Sequence, residues 1–266
     1  MMKKPLVSVI IPTYNSERTL EKCLESIKNQ NYPNIELIVV DNNSKDRTLK
    51  IARKFTQMVF QKGPERCAQR NYGASLSKGE FLLIHDSDVY FAKNLISECV
   101  EKCENELFDA LILPEKSIGE GYWAQVKSFE RSFYLENKYM EAARFFKKSV
   151  FENVGGYDED LVAGEDYDLH FRIIKNHYKI GRVSEVTFHD EGKLNLLGSS
   201  NKKKYYAHDF FKKYALKHPK EFKMQMSFFV RFPLKKIISK GFRHPILFAG
   251  MIFMKFLEYL SSRNFI

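Results

Sequence analysis

The run Val7-Ser8-Val9-Ile10-Ile11, apolar and β-branched almost throughout, constrains this chain more than any other feature. A strand of that composition is buried on both faces, so layers must cover it above and below. Pro12-Thr13-Tyr14-Asn15 ends it. Ser16 can cap a following helix in which Leu20, Cys23, Leu24 and Ile27 share one face, until Asn31-Tyr32-Pro33 stops it. The pattern then repeats. Strands are expected over 35–40 and 58–60, a helix from Ser44 or Asp46 to about Phe55, a helix over 66–76, a strand over 80–85, a helix over 94–103 and a strand over 109–113. Past Pro114 the regular alternation fades. Such alternation specifies an α/β fold with a mostly parallel central sheet and helices on both faces, in which ligands bind beyond the carboxyl ends of the strands.

The strand ends are polar: Thr13-Tyr14-Asn15, Asp41-Asn42-Asn43 and Asp86-Ser87-Asp88. One acidic strand end is ordinary loop chemistry, but three facing the same crevice point to a polar ligand. Asp86 and Asp88 flank one small residue directly after an apolar strand. That arrangement suits a hard divalent cation, since Mg²⁺ or Mn²⁺ takes one or two carboxylates and completes its shell with water and substrate phosphates. By itself the pair reads equally well as a capping aspartate plus a solvated turn.

Composition narrows the class. With 266 residues, 14% of them aromatic, and only four cysteines, the chain can build a large core and is neither disordered nor a disulfide scaffold. Cys99 and Cys103 lie four apart on an expected helix, but Cys23 and Cys67 are distant and no CxxC pair occurs, so reduced buried thiols are expected rather than zinc. The start, Met-Met-Lys-Lys-Pro followed by Leu6 to Ile11, lacks the features of a signal peptide. No apolar run reaches membrane-spanning length; the nearest, 246–260, is broken by Lys255 and Glu258.

Charge divides the chain. The formal net charge of +10 is the sum of −2 over the first 200 residues and +12 from Asn201 onward. A near-neutral body over 1–200 is therefore expected to carry a basic, aromatic-rich helical extension over 201–266. Lys202-Lys-Lys-Tyr-Tyr206 opens an expected helix through Lys217, ended by His218-Pro219; Phe228 to Pro233, Lys235-Lys236 and the apolar stretch 245–260 follow. Basic residues interleaved with Phe, Leu and Ile suit the headgroup region of an anionic bilayer. A solvated helical bundle packed on the body is the plainer alternative. Nucleic acid is not an expected partner, because the apolar runs are too long and no recognition-helix or RNA-stacking motif appears.

Taken in order, Val7-Ser-Val-Ile-Ile-Pro-Thr-Tyr-Asn15, Asp41-Asn-Asn-Ser-Lys-Asp46, Arg70-Asn71, Gly79-Glu-Phe-Leu-Leu-Ile-His-Asp-Ser-Asp88, Val154-Gly-Gly-Tyr-Asp158 and Gly164-Glu-Asp-Tyr-Asp-Leu169 resemble the family-2 glycosyltransferases of GT-A fold. The resemblance covers roughly residues 6 to 190, and it is the ordered set that carries it. It implies a metal-dependent inverting glycosyltransferase that moves a sugar from a nucleotide diphosphate sugar. By the same resemblance, Pro12, Thr13 and Tyr14 line the nucleoside pocket and Asp41 accepts a hydrogen bond from a base with a ring N–H, such as uracil. Arg70 belongs to the donor-binding set, Asp86 faces the ribose, and Asp88 binds Mg²⁺ or Mn²⁺, with His189 completing the metal shell. Asp166 is the implied catalytic base. Glu165 and Trp123 are implied acceptor contacts, Trp123 within the aromatic segment from Tyr122 to Tyr139. Glu165, Asp166 and Asp168 can also be read as acids placed against a helix dipole, and Asp168 can pair with Arg172 one turn on. Gly192, Lys193 and Gly198 would form a loop over the donor phosphates.

The chain departs from the family pattern twice. Asp41-Asn42-Asn43 stands where many members have two consecutive acids and a Gly, and Ser87-Asp88-Val89 lacks a third acid. With its basic extension, the expected enzyme lies peripherally on the cytoplasmic face of the membrane. Its expected acceptor is a polyprenyl-phosphate or a lipid-linked saccharide, for surface glycan synthesis or protein glycosylation. The alternatives are a noncatalytic nucleotide-sugar- or nucleic-acid-binding protein, and a nucleotidyltransferase; Pro12-Thr-Tyr-Asn-Ser16 lacks the glycine that the latter's phosphate loop requires.

Overall fold

The computed structural model describes residues 4–194, 196 and 210–262. The chain forms two compact units: Met1–Glu115 with Ala142–Asp160 and Leu169–Phe188, and Lys116–Glu141 with Leu161–Asp168 and His189–Ile266. Along the chain come β1 (Val7–Thr13), α1 (Leu20–Lys28), β2 (Ile35–Asp41), α2 (Thr48–Phe55), β3 (Val59–Gln61), α3 (Arg66–Leu76), β4 (Phe81–Ile84), β5 (Val89–Phe91), α4 (Leu95–Asn105) and β6 (Ala110–Ile112). Then follow β7 (Glu115–Glu120), α5 (Gly121–Arg131), β8 (Ala143–Lys147), α6 (Lys148–Asn153), α7 (Glu165–Lys175), β9 (Ile180–Arg182) and β10 (Thr187–Lys193).

The first unit holds a seven-stranded sheet of order β3-β2-β1-β4-β8-β6-β9. Neighbours are parallel from β3 to β4 and again between β6 and β9, while β8 runs antiparallel to both β4 and β6. The mostly parallel α/β sheet expected from the sequence is therefore present.

Alternation along the central strands sends successive side chains to opposite faces, and each face has its own core. Val7, Val9 and Ile11 of β1 pack with Leu20, Leu24 and Ile27 of α1 and with Leu95, Cys99 and Val100 of α4. Ile10 joins Ile38, Val40, Leu82 and Ile84 on the other face, under Cys67 and Ala74 of α3 and Leu169 and Ile173 of α7. This is the double burial that the run Val7 to Ile11 demands. Helix α3 lies so close on β1 that a Cβ at Gly73 would come 2.5 Å from Ile10 Cγ2. Helix α1 begins later than its sequence signal: Thr19 is the N-cap, and Ser16 contributes its carbonyl, which accepts from the Thr19 and Leu20 amides at 3.1 and 3.0 Å. All four cysteines are buried and free.

In the second unit, a π-helical turn at Phe210–Tyr214 runs into Ala215–Lys217, followed by α8 (Pro219–Met226), α9 (Phe228–Arg231), another π-helical turn at Ile237–Gly241 and α10 (Pro245–Ser262). Of the helix expected over 202–217, the part before Phe210 lies outside the described residues, as does Gly198. Helix α10 packs along α5, and Val126, Phe129, Phe133, Phe232, Met251 and Met254 form their common core. Glu130 is buried within it and is met by Lys127 at 2.7 Å, by Lys255 and by the Tyr134 hydroxyl.

The other side of α10 is equally apolar and faces outward: Ile246, Ile252, Phe253, Phe256, Tyr259 and Leu260 are exposed. Their spacing is that of one continuous helical stripe. No helix among the described residues is long and apolar enough to cross a membrane.

Candidate active site

The parallel pairing of β1 and β2 sets Thr13 beside Asp41. The Asp41 carboxylate is fully buried and accepts from Thr13 Oγ1 at 2.8 Å, Ser44 N at 2.8 Å and Ser44 Oγ at 2.5 Å. A carboxylate offers about four lone-pair positions, and this set fills three of them from within the protein. Pro12 is buried, whereas Tyr14 is 62% exposed and presents its ring to solvent.

Asn15 and Asn43 take left-handed conformations, with φ of 47° and 53°. Asparagine tolerates that region better than any other residue with a Cβ except aspartate. Asn43 thus accounts for one departure seen in the sequence: it adopts the backbone conformation for which glycine is suited. The loops are tied together by Asn15 N to Ser44 Oγ at 2.8 Å, Lys45 N to Asn15 Oδ1 at 2.9 Å and Ser87 Oγ to Ser16 Oγ at 2.8 Å. From α3, buried Gln69 donates to the Thr13 and Val40 carbonyls at 2.9 and 2.6 Å.

At the end of β4, Asp86 accepts from the wholly buried Arg70 Nη2 at 2.6 Å. Burial opposes the charge on Asp86, but Arg70 foremost, then Arg144, Arg66 and His85, hold its carboxyl well below the usual carboxylate range. The Arg70 guanidinium also lies 4.9 Å from the centre of the Tyr157 ring. Arg66 and Arg144 are the residues that motif reading passed over. Arg66 stands one turn before Arg70 on α3, an i, i+4 relation legible in the sequence. Arg144 arrives on β8 through antiparallel pairing with β4, a non-local contact without a sequence signal. Together they make the surroundings of Asp86 strongly cationic.

Asp88 lies two residues on, at the threshold of β5. Beneath the pair, Cys23 Sγ approaches the Asp86 carbonyl at 4.0 Å, and burial, then the charges of Asp88 and Asp86, push its thiol up. It stays protonated and inert as a nucleophile. The segment Val154 to Asp158 is held from two sides. Asn71 accepts from Tyr157 N at 2.8 Å and donates to Tyr157 O at 2.8 Å, while Arg172 donates to the Gly156 carbonyl at 2.7 Å and to that of Val154.

Asp166, Glu165, Trp123 and His189 belong to the second unit. Gly164, at φ 82°, admits the Tyr214 ring so closely that a Cβ would lie 2.7 Å from it, and this turn sets the start of α7. Glu165 is buried and Asp166, half-buried, occupies the first turn. Buried Asp168 meets His218 Nε2 at 2.9 Å. His189 Nδ1 is 4.0 Å from Glu191 Oε1, which also accepts from Ser117 at 2.9 Å and pairs with Arg131 at 3.2 Å. Trp123 packs against Tyr122 and Phe253, with ring centres at 4.9 and 6.0 Å.

Among the described residues no three His, Cys, Asp or Glu side chains are arranged to hold a metal. Asp88 offers a hard carboxylate oxygen, the donor type of which Mg²⁺ takes one or two, with phosphates and water for the rest.

Comparison with known proteins agrees with this geometry. The family model described as Glycosyl transferase family 2 matches residues 8–157. An uncharacterized glycosyltransferase of Rickettsia typhi is 29% identical, across 97% of this chain and 82% of its own length. The GalNAc(5)-diNAcBac-PP-undecaprenol beta-1,3-glucosyltransferase of Campylobacter jejuni is 29% identical across 69% of this chain and 67% of its own. Among solved structures, S. aureus TarS 1-349 in complex with UDP-GlcNAc superposes with a TM-score of 0.62 at 22% identity, over 94% of this chain and 72% of that one. The mannosyltransferase PcManGT of Pyrobaculum calidifontis, in complex with GDP-Man and Mn²⁺, gives 0.60 at 17% identity, over 99% and 76%. With its strand-end carboxylates, its GT-A sheet and a match over more than half its length, the chain belongs to glycosyl transferase family 2 and is a glycosyltransferase.

Proposed function

We propose that the chain is a metal-dependent inverting transferase that uses a UDP-sugar and glycosylates a lipid-linked or polyprenyl-phosphate acceptor, lying peripherally on the cytoplasmic face of the membrane. The observation that carries the donor half is the Arg70–Asp86 pair, which fixes an ionised carboxylate at the end of β4 inside a cationic setting. A carboxylate so fixed can accept from a ribose hydroxyl, while Arg66 and Arg144 favour the diphosphate. The exposed Tyr14 ring can stack on the base.

In this reading Asp88 and His189 would hold Mg²⁺ or Mn²⁺, which when bound neutralises charge on the diphosphate. With a lipid-linked saccharide as acceptor, Asp166 takes the proton of the attacking hydroxyl as its oxygen bonds to the anomeric carbon. The bond from that carbon to the β-phosphate oxygen breaks, and the nucleoside diphosphate leaves with the electron pair. Trp123 and Glu165 belong to the acceptor side.

The lipid-linked acceptor is favoured by the acceptor named for the Campylobacter relative and by the extension over 201–266. Most of the large hydrophobic side chains exposed among the described residues lie at or beyond Leu216, in the part of the chain that carries a net charge of +12. Each Lys or Arg near an anionic surface contributes about 1 kcal/mol of attraction, and the outer stripe of α10 can enter the headgroup layer.

The test is Asp166→Asn. Transfer should fall by about 100-fold or more while the affinity for the nucleoside diphosphate is kept. Undiminished transfer would remove Asp166 from the chemistry.

A further inference from the structure

Within the second unit, α5 and the segment leading into α10 line an open cavity of about 660 Å³. Its walls carry three basic side chains, Lys240, Arg243 and His244, facing Gln125, Ser128 and Ser132. Among the described residues that line it none is acidic. The composition is divided: Ile118, Phe129 and Leu247 supply an apolar side. Nothing in the donor chemistry uses these groups.

Lys240 is already placed. Its ammonium donates to the Ser132 carbonyl at 2.7 Å and to Ser132 Oγ at 2.9 Å, and it lies 5.4 Å from the centre of the Phe133 ring. Two of its three protons are thus directed and one donor remains. Burial, then the charge of Lys236, pushes its pKa down. Among the described residues, Gln125, Ser128, Arg243 and His244 make no side-chain hydrogen bond. His244 is steadied instead by the Phe129 ring, with centres 6.0 Å apart. A pre-set ammonium, a guanidinium, an imidazole and two or more neutral donors around a small volume match the oxygens of a phosphate group.

The surroundings identify what the phosphate is attached to. Phe242 is 83% exposed and Ile246 74%, directly flanking Arg243 and His244 in the chain, and Ile246 begins the outward stripe of α10. A free phosphate ion has no use for that surface, but a hydrocarbon tail does. We infer that the cavity lined by Lys240, Arg243 and His244 binds the phosphate of an amphiphile, a phosphate ester on a hydrocarbon chain, with the chain lying along Phe242 and Ile246. This rests on the lipid-linked reading of the acceptor and assigns it a site.

Trp123, the single tryptophan, adjoins the cavity residues Ala124 and Gln125 on α5 and reports on it by fluorescence. The full-length protein is titrated with farnesyl monophosphate, farnesol and inorganic phosphate, and so is the variant Arg243→Gln/His244→Gln, whose two changes are at exposed positions. Farnesyl monophosphate should bind at least about tenfold tighter than farnesol or inorganic phosphate, and the double variant should lose about tenfold for it alone. Equal binding of farnesol would overturn the phosphate assignment, and equal binding of inorganic phosphate would overturn the amphiphile. An unaffected double variant would overturn the site. UDP titration of the same samples separates the two readings: UDP binding without Arg243-dependent farnesyl phosphate binding removes the cavity and leaves the transferase. The converse removes the donor reading and leaves the cavity.

Discussion

Arg70 Nη2 donates to Asp86 Oδ1 at 2.6 Å, joining a wholly buried guanidinium on α3 to a carboxylate, 36% exposed, at the end of β4. The pair links the core to the edge of the ligand crevice. In the proposed reading Arg70, an expected member of the donor-binding set, is a positioning residue that would act on the donor through Asp86.

Arg70→Gln should therefore weaken UDP binding by about tenfold and destabilise the fold by ~2 kcal/mol, less than for a fully buried pair because Asp86 can hydrate. The pH dependence has a definite sign. Asp86 is depressed in the folded protein, so its stabilisation is complete above the unfolded value near about 4 and is lost as pH falls through the folded value. Urea unfolding of both proteins from pH 3 to 7 should show a constant gap above about pH 5 that narrows below about 4. A gap that stays constant throughout would contradict the coupling.

A second titration acts at higher pH. His170 on α7 is buried, its Nδ1 accepts from Ala143 N at 3.2 Å, and burial lowers its pKa to about 4. The unfolded chain takes up that proton first, so stability should fall as pH drops from about 6.5 toward about 4. His170→Gln retains an acceptor and should flatten this part of the stability profile by one proton. Parallel profiles would assign the acid sensitivity elsewhere.

The stripe on α10 makes a third claim. Ile252→Glu/Phe256→Glu, both at exposed positions, should leave the thermal midpoint nearly unchanged and sharply reduce co-flotation with anionic liposomes at low salt. Undiminished flotation would show that this face does not meet the bilayer.

Much of this was legible in the sequence where the signal is local. The run Val7 to Ile11 required two buried faces and has them, and the helix over 66–76 appears at those bounds as α3. The acidic strand ends were legible because a carboxylate directly after an apolar strand has little core role. Non-local pairing was not. Strand β8 enters between β4 and β6 after the segment Lys116–Glu141 has left the first unit, which is why the alternation fades past Pro114 and why Arg144 gave no sign of its place beside Asp86. Asp168 shows what helical spacing does not reach: its contact with His218 comes from 50 residues away.

The central claim, a nucleotide-sugar site at the ends of β1, β2 and β4, is tested most directly by calorimetric titration of the full-length protein with UDP, GDP and their sugar conjugates, in Mn²⁺ and again in EDTA. The account predicts saturable binding of UDP and a UDP-sugar in Mn²⁺, a weaker response to GDP, and loss of affinity in EDTA. Absence of binding by every nucleotide to the folded protein would contradict it.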